Sequence, residues 1–177
     1  MGKGRFAFFG IVATLVCAAA ALAAGSPRAF KVVFPEGFTR ARMTDQVSAV
    51  RRIALRELRT SHQPARIALT GTAYARATSH VVVPCFGKGT QRSAEGFLFP
   101  STYSFDQRTL GSNVVANQVG AFCNQWSKLD LSYARSKHLT AYDVLTIASM
   151  VEAEAALSGD RPKIAAVIYN RLRLNMP

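Results

Sequence analysis

The first five residues include Lys3 and Arg5. They are followed by 19 residues without a charge, Phe6 to Ala24. A positive start before an apolar run is typical of export or membrane insertion, with the N-terminus kept inside the cell. Because a spanning helix needs about 20 apolar residues, the length favours a retained anchor. Cleavage stays open as the alternative, since Ala21-Leu22-Ala23 resembles a cleavage site. In both cases the chain from Gly25 onward is expected outside the cytoplasm.

The chain as a whole has the composition of a folded protein. Of 177 residues, 49% are apolar and 18% are charged, which is too apolar for a disordered chain. No second run is long enough to cross a bilayer, so the multi-span membrane class is excluded. The roughly 150 residues after the apolar run are sufficient for one domain or two small ones.

The charge is strongly positive and unevenly distributed. The net charge is +12, and residues 58–94 contain no Asp or Glu. A basic surface beside a membrane anchor suggests anionic lipid or an anionic wall polymer as partner. A solvated basic face with no partner fits the same charges. Nucleic acid is disfavoured as a partner because the N-terminus indicates export.

Cysteine and histidine give little indication of a site. Outside the cytoplasm Cys85 and Cys123 are permitted to form a disulfide. Two separate buried thiols are the favoured interpretation, because free Cys behaves as a small apolar residue. The three histidines have no ligand spacing on one element, so we predict no metal site and no cofactor: His62, His80 and His138.

Hydrophobic periodicity and turn residues predict a mainly helical α+β chain. Thr39 is expected to cap a helix whose apolar positions begin at Met43. Thr140 and Asp143 form a capping-box-like start for another helix, expected to run through Ala156. The other predicted elements are strands at 29–34 and 81–84 and helices at 70–77, 113–126 with a continuation to 137, and 163–174.

One carboxylate lies in a strongly apolar helical segment. Glu152 lies one turn from Ala148 and Ser149, so it is expected close to the buried face, whereas Glu154 is rotated from it by about 200°. Apolar neighbours favour the neutral form of a carboxyl, and a protonated carboxyl can donate a proton to a leaving oxygen. Such a residue suits cleavage of a glycosidic bond. The alternative is a surface Glu paired with one of the abundant Arg residues.

A second cluster runs from Glu95 to Tyr103 (EGFLFPSTY). Its aromatic residues at 97, 99 and 103 could form a platform for a sugar. The alternation of Phe97 and Phe99 is more typical of a core strand, so Tyr103 is the better candidate for a cleft.

These stretches together resemble the endolytic murein transglycosylase, or YceG-like, family. The resemblance covers most of residues 30–177, and the four matching stretches occur in the family's order and spacing. They are Glu95–Tyr103, Leu139–Leu145, Ala148–Glu154 and Ile164–Leu172.

The resemblance implies cleavage of the β-1,4 bond between N-acetylmuramic acid and N-acetylglucosamine within a glycan strand. The muramyl 6-hydroxyl attacks its own anomeric carbon and leaves a 1,6-anhydro end, so one carboxyl can serve as acid and then as base. The family's catalytic residue maps to Glu152. Glu95, Tyr103 and Asn170 match other motif positions and are expected to bind substrate.

The resemblance also implies an organisation into three segments. These are a membrane anchor or signal segment at 1–25, a LysM-like segment at 26–92 and a YceG-like catalytic region at 93–177. The chain ends at Pro177, before a stretch that usually follows in the family, so a C-terminally incomplete region is expected. Residues 51–88 also depart from the common LysM-like pattern.

The implied location is the cell membrane, with a single span and the catalytic part outside the cytoplasm. The implied partners are peptidoglycan glycan strands, the inner membrane and peptidoglycan synthesis proteins. Two other hypotheses remain: a non-catalytic, membrane-anchored module that binds peptidoglycan, and a basic exported protein that binds anionic lipid.

Overall fold

The computed structural model describes residues 28–87 and 91–176 of the chain. In chain order the elements are β1 (Phe30–Val33), α1 (Arg40–Thr60), α2 (Gly71–Ala77), β2 (Val81–Val82), a 3₁₀ turn (Pro84–Phe86), β3 (Gln91–Arg92), β4 (Thr102–Phe105), α3 (Gly111–Trp126), α4 (Ser132–Ser136), α5 (Ala141–Glu154), a second 3₁₀ turn (Ser158–Asp160) and α6 (Arg161–Arg173). The predicted α+β, mainly helical composition is confirmed. The predicted anchor at 1–25 lies outside the described residues, and no helix among those residues is long and apolar enough to cross a membrane.

Two small antiparallel sheets accompany the helices. β1 pairs with β4, so that Phe30 faces Phe105 and Val33 faces Thr102. β2 pairs with β3 over two residues. β1 and β4 lie on opposite sides of the boundary expected between residues 92 and 93, and their pairing joins the two segments. The LysM-like assignment of the first segment and the domain division stay predictions.

The expectation of a core strand at Phe97 and Phe99 is wrong. That segment is a turn, and strand β4 begins only at Thr102. Gly96 adopts a φ of +83°, a conformation that glycine accepts without steric cost. The amide of Phe97 donates a hydrogen bond to the carbonyl oxygen of Ala94 at 3.0 Å, which closes a tight turn. Phe97 is nevertheless buried in the core, as its apolar character indicated.

Helix α1 forms as predicted. The Thr39 side chain accepts a hydrogen bond from the amide of Arg42 at 3.3 Å and so satisfies one of the free amides at the helix start. Its buried face comprises Met43, Val47, Ala54 and Leu58. These residues are spaced four, seven and four positions apart, so they form one stripe along the helix that packs on the core.

The core lies where α1, α2 and α3 meet the sheet of β1 and β4. Tyr74 is fully buried there, and its hydroxyl donates to Oε1 of the buried Gln118 at 2.7 Å. Burial raises the pKa of Tyr74, so this hydroxyl stays protonated and able to donate. Gly111 permits the contact of α2 with α3, because a Cβ there would come within 2.8 Å of the Tyr74 nitrogen.

A disulfide joins Cys85, in the first 3₁₀ turn, to Cys123 of α3. The favoured expectation of two separate thiols is therefore wrong. The two residues are 38 positions apart in sequence, and only the folding of the 3₁₀ turn onto α3 brings their Cα atoms to 5.6 Å. An aromatic cluster of Phe86, Phe97, Phe122 and Trp126 packs beside the bridge.

The last two long helices pack mainly on each other. The predicted cap of α5 is present: the Thr140 side chain accepts from the Asp143 amide, and Asp143 accepts from Thr140, which lowers the pKa of Asp143. α5 ends at Glu154, two residues earlier than predicted, and buries Ile147 and Val151. Within the described chain α6 buries no residue, so its expected apolar face is largely exposed.

Candidate active site

An open groove lies between the start of α1, the turn at 95–100 and α5. Its cavity measures about 690 Å³. Glu152 and Glu95 both line it, together with Thr39 and Arg40 from the start of α1. Glu95 and Glu152 therefore share one groove, although they lie far apart in the sequence. They are two of the four residues predicted to form the site.

Glu152 is solvent-exposed rather than close to the buried face. Its side chain is 63% exposed, and its two carboxylate oxygens lie 3.0 and 3.2 Å from Nη2 of Arg161. The burial expectation is wrong because Ala148 and Ser149, its neighbours one turn earlier, face the open groove and not the core. The alternative drawn from the sequence, a surface Glu paired with an Arg, describes what the structure shows.

The side chain of Glu95, the second carboxylate of the groove, is held by the N-terminus of α1. Both oxygens of Glu95 accept from the backbone N–H of Arg40, at 3.1 and 3.3 Å. Arg40 is the first residue of α1, where free amides and the helix dipole favour a negative charge. Glu95 therefore ties the turn at 95–100 to α1 and holds one wall of the groove in place.

Tyr103 and Asn170 are not among the described residues that line this groove. Tyr103 lies in β4, half-buried against Phe34, and its hydroxyl donates to the carbonyl of Phe99 at 2.9 Å. Burial raises the pKa of Tyr103. Asn170 is exposed on α6. Tyr103 is thus placed to support the turn from behind, and substrate-binding roles for both residues stay predictions.

The groove can support acid–base chemistry through the carboxyl of Glu152. Both oxygens of Glu95 accept from a backbone amide, whereas the carboxylate of Glu152 pairs with an exposed guanidinium that can be displaced. In the described part of the chain no group of His, Cys, Asp and Glu residues is arranged to hold a metal ion. Glu152 is therefore the residue of this groove best placed to exchange a proton with a bound molecule.

A second cavity, of about 590 Å³, lies on the other side of the same turn. It shares Glu152 and Ala148 with the groove, and Trp126 and Phe99 also line it. The sequence interpretation missed Trp126, which had been assigned to the apolar stripe of α3. Its status as the only Trp of the chain was the available signal.

Comparisons with known proteins agree with this architecture. A sequence profile of the YceG-like family matches residues 4–177, so the chain belongs to the YceG-like family. The crystal structure of a YceG-like protein from Listeria monocytogenes superimposes with a TM-score of 0.55 at 26% identity, covering 82% of this chain and 47% of that one.

Curated relatives carry a more specific name. An endolytic murein transglycosylase of Streptococcus pneumoniae R6 is 41% identical over 95 residues, which are 54% of this chain and 17% of that protein. The protein of the same name from Bacillus subtilis 168 is 34% identical over 92 residues, 52% of this chain and 26% of that protein. The matched stretch thus spans about a quarter or less of the curated relatives' length.

The ion pair of Glu152 with Arg161 is expected to add little stability. Its side chains are 63% and 48% exposed, and exposed pairs contribute between nothing and about 1 kcal/mol. We expect Arg161→Ala to lower the free energy of unfolding by less than about 1 kcal/mol in urea denaturation. Arg28→Ala is the matched control, because Arg28 forms a similarly exposed pair with Glu57 at 3.5 Å. A much larger loss for Arg161→Ala alone would show that this pair holds α6 against α5.

Proposed function

We propose that the chain is the membrane-anchored, extracytoplasmic part of a lytic transglycosylase. It cleaves the β-1,4 bond between N-acetylmuramic acid and N-acetylglucosamine in nascent glycan strands and thereby ends strand elongation. The observation that carries the proposal is the position of Glu152, which lies in the region matched to the family and lines two adjoining cavities of an open groove. An open groove suits cleavage within a polymer, because the strand must leave in both directions from the reacting bond.

The reaction requires one carboxyl that first donates and then accepts a proton. The protonated Glu152 donates its proton to the glycosidic oxygen, and the bond from that oxygen to the muramyl anomeric carbon breaks. The muramyl 6-hydroxyl oxygen then bonds to the same carbon. Its proton passes to the Glu152 carboxylate, which restores the acid. No water enters, so a second catalytic carboxylate, which ordinary glycosidases need, is not required.

Substrate binding has to open the contact between Glu152 and Arg161. The carboxyl must act as a hydrogen-bond donor to the glycosidic oxygen in the first step, whereas both of its oxygens now accept from the guanidinium. Because both side chains are largely exposed, breaking the pair costs less than about 1 kcal/mol. The freed guanidinium can then bind an acceptor group of the strand.

A non-catalytic peptidoglycan-binding module is the second candidate. It is favoured by the ion-paired resting state of Glu152 and by the acid-free stretch at 58–94, whose basic residues suit an anionic polymer. Under this proposal Glu152→Gln leaves binding to purified sacculi unchanged and no new glycan ends form. Peptidoglycan strands, the inner membrane and synthesis proteins are the partners under both proposals, and no nucleic acid is expected.

The nature of the glycan ends tests the function. The chain is incubated with uncross-linked glycan strands, and mass spectrometry identifies the new ends, with a full-length relative as positive control. Ends with anhydro-muramic acid are the expected result. Reducing ends would instead indicate a hydrolase that uses water, and no products beside an active control would support the binding module.

A further inference from the structure

We propose that Trp126 forms a second saccharide subsite, in which one pyranose of an N-acetylated, carboxylate-bearing glycan lies against the indole. The proposal rests on the proposed function for the identity of the ligand, and it adds a binding site to that function. The subsite is the cavity of about 590 Å³ beyond the turn at 95–100.

The first argument is continuity with the groove of Glu152. Gly96, Leu98, Pro100, Ala148 and Glu152 line both cavities, so the two lie on either side of the same short turn and meet at Glu152. A polymer whose reacting bond lies at Glu152 therefore extends past the start of α1 in one direction. In the other direction it reaches Trp126.

The second argument is the rigid support of the indole. Trp126 stacks on Phe122, with ring centroids 5.7 Å apart and 19° between the ring planes. It also packs on Phe86, with ring centroids 4.7 Å apart. Phe86 follows Cys85, whose disulfide to Cys123 fastens this cluster to α3. A ring held in this way loses little conformational entropy when a ligand binds, which favours affinity. The C–H faces of a pyranose are apolar and match an aromatic surface.

The third argument is the polar rim. Gln125 and Lys128 line the same cavity and are exposed, and Nζ of Lys128 donates to Oε1 of Gln125 at 3.3 Å. The amide –NH₂ of Gln125 can donate to an N-acetyl carbonyl, and the ammonium of Lys128 retains donors for a carboxylate. The aromatic face of Trp126, with an amide and a cation beside it, fits an N-acetylated acidic sugar better than an apolar peptide.

Trp126 is the only Trp of the chain, so emission excited selectively at tryptophan, and not at the five Tyr residues, reports on this site. The probe is a preparation of uncross-linked glycan strands, added to the chain carrying Glu152→Gln so that no turnover occurs. We expect a saturable change in emission. Oligomers of N-acetylglucosamine, which lack the carboxylates, are expected to produce the same change at weaker affinity.

Variants separate stacking from folding. We expect Trp126→Ala, measured by calorimetry, to weaken strand binding about tenfold, equivalent to about 1.4 kcal/mol, and Trp126→Phe to retain most of the affinity. Lys128→Ala leaves the aromatic packing intact and is expected to weaken binding of the strands but not of the uncharged oligomers. Tyr133→Ala is the matched control, because this exposed ring contacts Tyr169 and lines neither cavity.

The outcomes distinguish this proposal from the proposed function. Unchanged emission, together with unchanged affinity in Trp126→Ala and Lys128→Ala, overturns the subsite even if the unmodified chain forms anhydro ends. A saturable emission change with the expected losses supports the subsite even if no glycan ends form, and the chain is then a binding module. Equal weakening by Tyr133→Ala would show a general effect of losing an exposed ring and would also overturn the subsite.

Discussion

Replacing Glu152 by Gln is expected to lower the rate at which anhydro-muramyl ends form by about 10²–10⁴-fold, the usual contribution of a general acid–base group. Gln keeps the shape of the side chain, but an NH₂ group replaces one carboxylate oxygen, and the amide cannot give up or take a proton at the glycosidic oxygen. The side chain is largely exposed and its ion pair contributes little, so the fold should be retained. The measurement is the initial rate of anhydro-end formation by mass spectrometry, with circular dichroism as the check on folding.

The same helix provides the control. Glu154 is two residues further along α5, is also exposed and lines neither cavity. Glu154→Gln therefore changes the net charge by the same amount without touching the groove, and its rate should match that of the unmodified chain. Full activity in Glu152→Gln would exclude Glu152 as the proton donor. Equal loss in both variants would indicate an effect of charge on strand binding.

Removing the disulfide is expected to produce the largest loss of stability. The double variant Cys85→Ser/Cys123→Ser should lower the free energy of unfolding by about 4 kcal/mol, because the bridge closes a long loop in the unfolded chain. The separation of 38 residues sets this magnitude in the chain-entropy account. The measurement is urea denaturation followed by circular dichroism.

Reduction provides an independent check on the same bridge. The unmodified chain in excess dithiothreitol should unfold at the urea concentration of the double variant, whereas the double variant should not respond to the reductant. Equal midpoints for the oxidised chain and the double variant would show that the bridge adds no stability. The emission of Trp126 should shift on reduction, since Phe86 next to the bridge packs on the indole.

Elements stabilised by neighbours in sequence were predictable. The starts of α1 and α5 follow from Thr39 and Thr140, because a cap is a hydrogen bond to a residue three positions later. The strand at Phe30–Val33 follows from its β-branched and aromatic residues. The end of α5 was less certain, since frayed helix ends depend on what packs beyond them.

Contacts between distant residues were not predictable from patterns. β1 pairs with a strand some 70 residues later, at Thr102–Phe105. The alternation of Phe predicts a strand at Phe97–Phe99 instead, because it gives no indication of the turn at Gly96. The disulfide required the approach of a 3₁₀ turn to α3, which no local signal specifies. In both cases the partner is chosen by the packing of the whole core.

The candidate site divides in the same way. The sequence by itself determined the caps, the helices and, through its motifs, that Glu152 and Glu95 belong together. Only the tertiary structure decided that Glu152 is exposed and paired with Arg161, that Glu95 holds the start of α1, and that Trp126 lies along the continuation of the groove. The physical reason is that periodicity identifies which residues share a face of a helix, whereas exposure depends on which other elements cover that face.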